Sequence, residues 1–248
     1  MSSRPHLFGV LAGLFLAAGL TLSAFIVSST LSRLSESNVI NVTGAARRNV
    51  RSDLVVWRLR FGVDAPTLLE AQQRLQVDLA KVAKFLRDHG VAEAEIAAAP
   101  VQIHDLTAKR RDEADADSYV AVRVGYRLTQ FLEVRSADVE GVPRLAANCG
   151  PLLEQDVALV SEEFQFIYTK AGEAKVEMMA EATKDAWARA EQIASQGSRS
   201  VKALRSAKAG IVQINPLHSS ATSWEGNNDT SALEKTIMAT VSATFALK

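Results

Sequence analysis

Three hydrophobic patterns divide the chain. From Leu7 to Val27, LFGVLAGLFLAAGLTLSAFIV, there is no polar period and no charge. A helix needs about 20 apolar residues to cross a bilayer core, and this run supplies that length. It is apolar all round, which argues against a core helix with one buried stripe. After Val39 two other patterns take over. Alternation of apolar and polar residues predicts half-buried strands, and recurrence every three or four residues predicts amphipathic helices.

Alternation is strongest after Asp53. Val55, Trp57, Leu59, Phe61 and Val63 share one face, and Val56, Arg58, Arg60 and Gly62 the other. With VINVTGAAR before it, residues 39–64 predict a β-hairpin turning near Asn49. A helix is expected over 65–90, with Thr67 and Glu70 at capping-box spacing, a Leu68–Leu75–Leu79–Val82–Leu86 stripe, and Gly90 as its stop. A second hairpin is expected over 96–130, returning through Val120, Val122, Val124, Tyr126 and Leu128. Its tip, KRRDEADAD, sets a basic run against an acidic one and reads as a solvated loop. Residues 136–154 predict an imperfect helix from Ser136, broken or restarted at Pro143. A strand with Phe164, Phe166 and Tyr168 on one face follows over 157–170. The strongest helix of the soluble part covers 173–196, with the stripe Val176, Met179, Thr183, Trp187, Ala190 and Ala194; that stripe predicts a buried Trp187. Strands at 201–215 and about 233–247 close the chain.

The expected fold is therefore α+β: mainly antiparallel sheets with about three packed helices, ββαββ then αβαββ, preceded by one transmembrane helix. The expected layout is a tail at 1–6, an anchor at 7–29, a Ser-rich linker at 30–38, and a soluble part at 39–248. That part is either one domain or two subdomains, about 39–135 and 136–248.

The first run has a rival reading as a cleaved signal peptide. It exceeds the usual h-region of about 7–15 residues, and no Ala-x-Ala site follows it. The expected lipid contact is through residues 7–29. Flanking charge leaves orientation open, since long domains translocate largely regardless of it. Lysine plus arginine and aspartate plus glutamate balance at 28 each, which argues against a nucleic-acid partner. The single cysteine, Cys149, permits no intramolecular disulfide.

Four stretches carry a family likeness: VTGAARRNVRSDLVVWRLRF at 42–61, the 67–96 helix ending FLRDHGVAEAEI, KVEMMAEATKDAWARAEQIA at 175–194, and AGIVQINP with the closing ATVSATFAL. In order and spacing they resemble the bacterial SIMPL-domain family, in its membrane-anchored branch of unknown function. Ala46 stands where that family's opening usually has a second glycine, and Ser52 where a proline commonly precedes the aspartate. The resemblance implies an α+β domain on the periplasmic side of the bacterial inner membrane, held by a single-pass N-terminal signal-anchor. It also implies a cell-envelope protein of the kind known from periplasmic immunogenic and oxidative-stress defence proteins, with no known catalytic residues.

The remaining chemistry is sparse. His6, His89, His104 and His218 have no metal-ligand spacing, and HExxH, CxxC, the P-loop and the G-x-S-x-G elbow are absent. No catalytic, cofactor or metal residue is expected and no cofactor is implied. Cys149, on the apolar stripe of its helix, reads as a buried inert thiol. The expectation is an interaction or assembly module rather than an enzyme, with a homo-oligomer or another envelope protein as partner. The alternative is an envelope enzyme with an unrecognised Cys- or Ser-dependent site. Arg58 and Arg60 on one strand, and Arg123 and Arg127 on another, would line the outer face of a shared sheet. Such arginines are either solvated and paired or the centre of an interface.

Overall fold

A computed structural model describes residues 5–35, 38–111 and 119–248, giving the backbone alone for 5–12 and 30–35. The tail before Pro5 and the acidic part of the KRRDEADAD tip lie outside the described residues. The fold is α+β with antiparallel sheets, and its elements fall into two compact units assembled from segments distant in sequence.

The first unit takes in residues up to Ala45, Glu181–Gly210 and Thr240–Lys248. It opens with α1 (Pro5–Ser35), which absorbs most of the residues read as a flexible spacer. Among the described residues, no helix is long and apolar enough to cross a membrane. The unit also holds the start of β1 (Val39–Arg51), β8 (Val201–Ala209), the second half of β10 (Glu234–Leu247) and of α5 (Ala171–Gln196). β10 lies between β1 and β8 and runs antiparallel to β8. Ala186 and Ala190 of α5 pack on Ala243 and Phe245, with Ile40, Val42, Trp187 and Val201 around them.

Trp187 is half-buried, not enclosed, and meets Phe245 edge-on at 5.3 Å. The buried face of α5 keeps Ala190 and Ala194 of the expected stripe but runs through Ala182 and Ala186 in place of Thr183 and Trp187. Small side chains let a helix lie close to a sheet, and a large indole is displaced to the margin. Trp187→Ala should therefore cost about 2 kcal/mol, less than the roughly 3–5 kcal/mol expected for Phe245→Ala, which is fully enclosed. Urea titrations of both variants check the order, and equal losses would place Trp187 in the core.

The second unit comprises Ala46–Ala180 and Ile211–Ala239. Its six-stranded sheet runs β3 (Ile96–Ala98), β5 (Tyr119–Ser136), β2 (Leu54–Ala65), β6 (Leu159–Ser161). β4 (Gln102–Arg111) pairs with β5, and β7 (Gln165–Ile167) with β2, all antiparallel. β9 (Gln213–Pro216) pairs with the start of β10. The inner sheet face carries Trp57, Leu59, Phe61, Leu128, Leu132 and Val134, covered by Leu75, Val82 and Leu86 of α2 (Leu68–Asp88). Burying side chains of this size contributes about 1.5–3 kcal/mol each. Trp57 is fully enclosed, and its indole N–H donates to Ser161 Oγ at 2.8 Å.

α2 ends where the sequence predicts. Thr67 Oγ1 accepts from Glu70 N, and Gly90, at φ +89°, lets its own N–H reach Arg87 O while Val91 N reaches Leu86 O. The first hairpin is corrected. β1 and β2 both form but do not pair. Neither connecting residue has the positive φ of a two-residue hairpin turn. Instead Ser52 N donates to Leu233 O and Asp53 N to Ile167 O, so the chain changes sheets. Asp53 also accepts from the amide and hydroxyl of Thr169, both at 2.7 Å. Asn49 is no turn residue, since its Oδ1 takes the Thr236 hydroxyl.

The other differences are interruptions. The expected 136–154 helix is two short ones, α3 (Gly141–Ala147) and α4 (Gly150–Glu154), making four helices after α1 among the described residues. Ser136 ends β5, and Pro143 and Pro151 sit in first turns, where a missing N–H costs nothing. The 157–170 strand is β6 and β7. The 201–215 strand breaks into β8 and β9 at Gly210, whose N–H donates to Thr240 O. The second hairpin is present as β4 and β5.

Candidate interaction face

The outer face of the six-stranded sheet gathers most of the arginines singled out above. Because successive side chains alternate, the same β2 period that buries Trp57 and Phe61 turns Arg58, Arg60 and Asp64 outward. Register then fixes their neighbours. Arg58 stands opposite Glu133, Arg60 opposite Phe131, and Asp64 opposite Arg127. Arg58 Nε donates to Glu133 at 2.9 Å. Arg127 makes a two-pronged contact with Asp64 at 2.7 and 2.6 Å. These hydrogen bonds hold the Asp64 and Glu133 carboxyls below the ordinary carboxylate range and raise Arg127. The pairs are solvent-exposed on the arginine side, so each contributes at most about 1 kcal/mol. Between them lies an open groove of about 510 Å³, lined by Arg60, Gly62, Asp64, Arg127, Thr129 and Val160. Among the described residues Arg60 has no carboxylate partner.

Arg123 does not join this row. A bulge between Leu106 and Thr107 offsets β5 by one residue, and Arg123 turns to the side of Tyr126, 5.0 Å over its ring and 3.8 Å from Asp105. Bulges of this kind leave no mark on an alternating sequence. Beyond the bulge the β4–β5 ribbon is exposed on both sides, and Val120, Val122 and Val124 are all exposed.

The other candidates separate. His104 lies opposite Arg127 on the outer face, while adjacent Asp105 points to the other side. His89 caps α2 with Nδ1 2.8 Å from Phe85 O. His218 sits in a loop at φ +67°. Cys149 is half-buried against the core, its Sγ directed at Leu145 O, and burial pushes its thiol up. Among the described residues no group of three His, Cys, Asp or Glu could hold a metal ion.

Sequence reasoning missed a buried polar network. Gln213 and Asn215, both buried, hold the 219–229 loop: Gln213 bonds Ser223 and the Asn227 amide, and Asn215 bonds Ala221 and the Asn227 side chain. Lys235 is 1% exposed and donates to the carbonyl and carboxylate of Asp229 at 2.7 and 2.8 Å. On this pinned loop Trp224 is 81% exposed. The strand expected over 201–215 contains Gln213 and Asn215, and nothing in its pattern marks them as buried.

These features coincide with a family. A family model, SIMPL, described as a protein of unknown function, matches residues 40–245. The chain belongs to the SIMPL family. Asp53, Gln213 and Asn215, within the matched residues, thus anchor chain segments in this SIMPL domain. No curated protein matches the chain. Among solved structures it is similar to a de novo designed protein, Foldit4, at 14% identity and TM-score 0.21, over 44% of this chain and 93% of that one. It is also similar to a hydrolase from Listeria innocua, at 14% identity and TM-score 0.22, over 82% and 91%.

Proposed function

We propose that this SIMPL protein is a membrane-tethered module of the bacterial envelope. In this reading α1 is an uncleaved signal-anchor in the inner membrane, and the SIMPL domain stands in the periplasm. It acts there by binding other proteins or its own copies, in envelope or oxidative stress defence, rather than by catalysis.

The observation that carries this reading is α1. It is a helix of 31 residues, and in its described part Leu14, Phe15, Leu20, Phe25 and Ile26 are each more than half exposed. Apolar side chains exposed around a whole helix have no partner in water and match lipid. Thr21, Ser23 and Ser29 turn their hydroxyls back onto the helix: Thr21 bonds Ala17 O at 3.0 Å, Ser23 bonds Gly19 O at 2.6 Å and Ser29 bonds Ile26 O at 2.9 Å. Lipid demands this, since it offers no hydrogen bonds. The half-buried, hard-to-ionise Cys149 supports interaction over a thiol-dependent activity.

Alkaline extraction of membranes and N-terminal sequencing of the mature chain test the anchor, and protease access in spheroplasts tests the side. The expected result is a full-length chain in the membrane fraction with its domain cleaved from outside. A mature N-terminus near Ser29 or Thr30, or a protected domain, overturns it.

A further inference from the structure

We propose that the end of the first unit nearest α1 is a basic surface that docks on the anionic headgroups of the bilayer holding α1. The inference deepens the tether reading above and rests on it for the presence of that bilayer.

Register fixes which residues lie at this end. Leu247 N donates to Asn38 O and Lys248 N to Ser200 O, while Leu247 stands opposite Val201. Asn38, Leu247 and Val201 thus form one row across β1, β10 and β8, about 10 Å wide. The turn after α5 closes at the same end, where Arg199 N donates to Ala194 O. Arg199, Lys202 and Lys248 are exposed within two residues of the row, and exposed Arg205 follows about 10 Å up β8.

Two of these cations sit at the register shifts of β8. Thr244 pairs with Ser206 but Phe245 with Leu204, and Ala246 with Ala203 but Leu247 with Val201. Arg205 and Lys202 are the residues left without a partner. Bulged cations protect a free edge from strand addition, and a cation past a helix C-terminus complements its dipole. Those roles account for Lys202, Arg205 and Arg199 singly, but not for Lys248 beside them.

Nor do they account for the missing counter-charge. The chain is neutral, yet residues 38–45, 181–210 and 240–248 hold seven lysines and arginines against three acids. The acids, Glu181, Asp185 and Glu191, all lie on α5, and Asp185 is taken by Arg189 and the Ala45 amide. Among the described residues Arg199, Lys202, Arg205 and Lys248 are in no ion pair.

Chain length brings this end to the membrane. The apolar run ends at Val27 and α1 continues to Ser35, which carries the chain about 12 Å past the hydrocarbon. The headgroup layer occupies about 5–8 Å of that. Three residues then lead to Asn38, a reach of at most about 11 Å. Long cationic side chains at the Asn38 row close much of the remaining gap, and an anionic surface acts over a Debye length of about 8 Å. Each cation near such a surface strengthens attachment about fivefold.

The test places the full chain in lipid discs of phosphatidylglycerol or phosphatidylcholine and reads lysine acetylation rates by mass spectrometry. Lys202 and Lys248 should react at least about fivefold more slowly in phosphatidylglycerol. Lys184, about 18 Å up α5 from Gln196, should be unchanged. Molar salt should abolish the protection, and Arg199→Gln/Arg205→Gln, with unchanged circular dichroism, should at least halve it. Equal rates in the two lipids, equal protection of Lys184, or protection indifferent to salt or to the double variant overturns the surface. Protection in phosphatidylcholine by added inorganic phosphate overturns it too, since the site would then take a free anion. Alkaline extraction of membranes reads the anchor separately. A chain that extracts freely refutes the tether; its flotation with phosphatidylglycerol vesicles, lost in the double variant, would keep the basic surface, and no flotation would refute both.

Discussion

Asp229→Ala should lower the unfolding free energy by about 3–5 kcal/mol, because it strands a buried charge. Lys235 is 1% exposed and its ammonium has the Asp229 carbonyl and carboxylate as partners. Removing the ammonium is a smaller change. Lys235→Met leaves Asp229 accepting from the Ser231 hydroxyl and the Ala232 amide, so about 1–2 kcal/mol is expected. The pair also gives a pH dependence. Burial alone would raise the Asp229 carboxyl, but hydrogen bonds from Lys235, Ser231 and Ala232 outweigh it and hold it below its ordinary value. A carboxyl depressed in the folded state stabilises fully above its unfolded value, about 3.9, and loses that contribution as pH falls through the folded one. Stability should therefore decline on acidification below about pH 4, and less steeply in Asp229→Ala. Urea titrations at neutral and acid pH check both, and a loss under about 1 kcal/mol at neutral pH would mean the pair is not shielded from water.

What the sequence revealed here was local. Strand β2, the caps of α2 and the closing strand β10 follow from period and capping chemistry within a few residues, and they stand where expected. The outward row Arg58, Arg60 and Arg127 follows from the same alternation. Pairing is different. β1 and β2 are separated by two residues, yet they belong to different sheets because Ser52 and Asp53 find acceptors at Leu233 and Ile167. Nothing within a short window encodes that choice. The burial of Lys235, Gln213 and Asn215 has no local signal either: their partners lie in a loop that is polar in sequence but folds over them. The α5 stripe holds at Ala190 and Ala194 and is displaced before them, because large side chains weigh more in a stripe than alanines do. Thr183 and Trp187 stand one position beyond Ala182 and Ala186, which are the buried residues there.

The closest packing of that alanine face identifies the most sensitive backbone position. Gly44→Ala should cost about 3 kcal/mol or more, at the upper end for added bulk, because the collision is with backbone. A Cβ at Gly44 would fall on Ala182 O and Ala186 N and come within 2.7 Å of Ala186 Cβ. A side chain could turn aside from such a clash, but a helix backbone can move only with its whole turn. The strand is also fixed in place by the Ala45 amide, which donates to Asp185 at 2.8 Å. Retreat from the added methyl would break that bond as well. Two companion variants isolate the cause. Ala186→Gly/Gly44→Ala removes the Cβ contact but not the Ala182 carbonyl, so it should recover little. Ala46→Gly alters the neighbouring motif position, where a Cβ is already tolerated, and should cost no more than about 1 kcal/mol, the usual penalty for glycine within a strand. Urea unfolding of the three variants reads the difference. A Gly44→Ala loss below about 1 kcal/mol, or full recovery in the double variant, would mean that strand and helix can move apart, and the close approach would not explain the glycine.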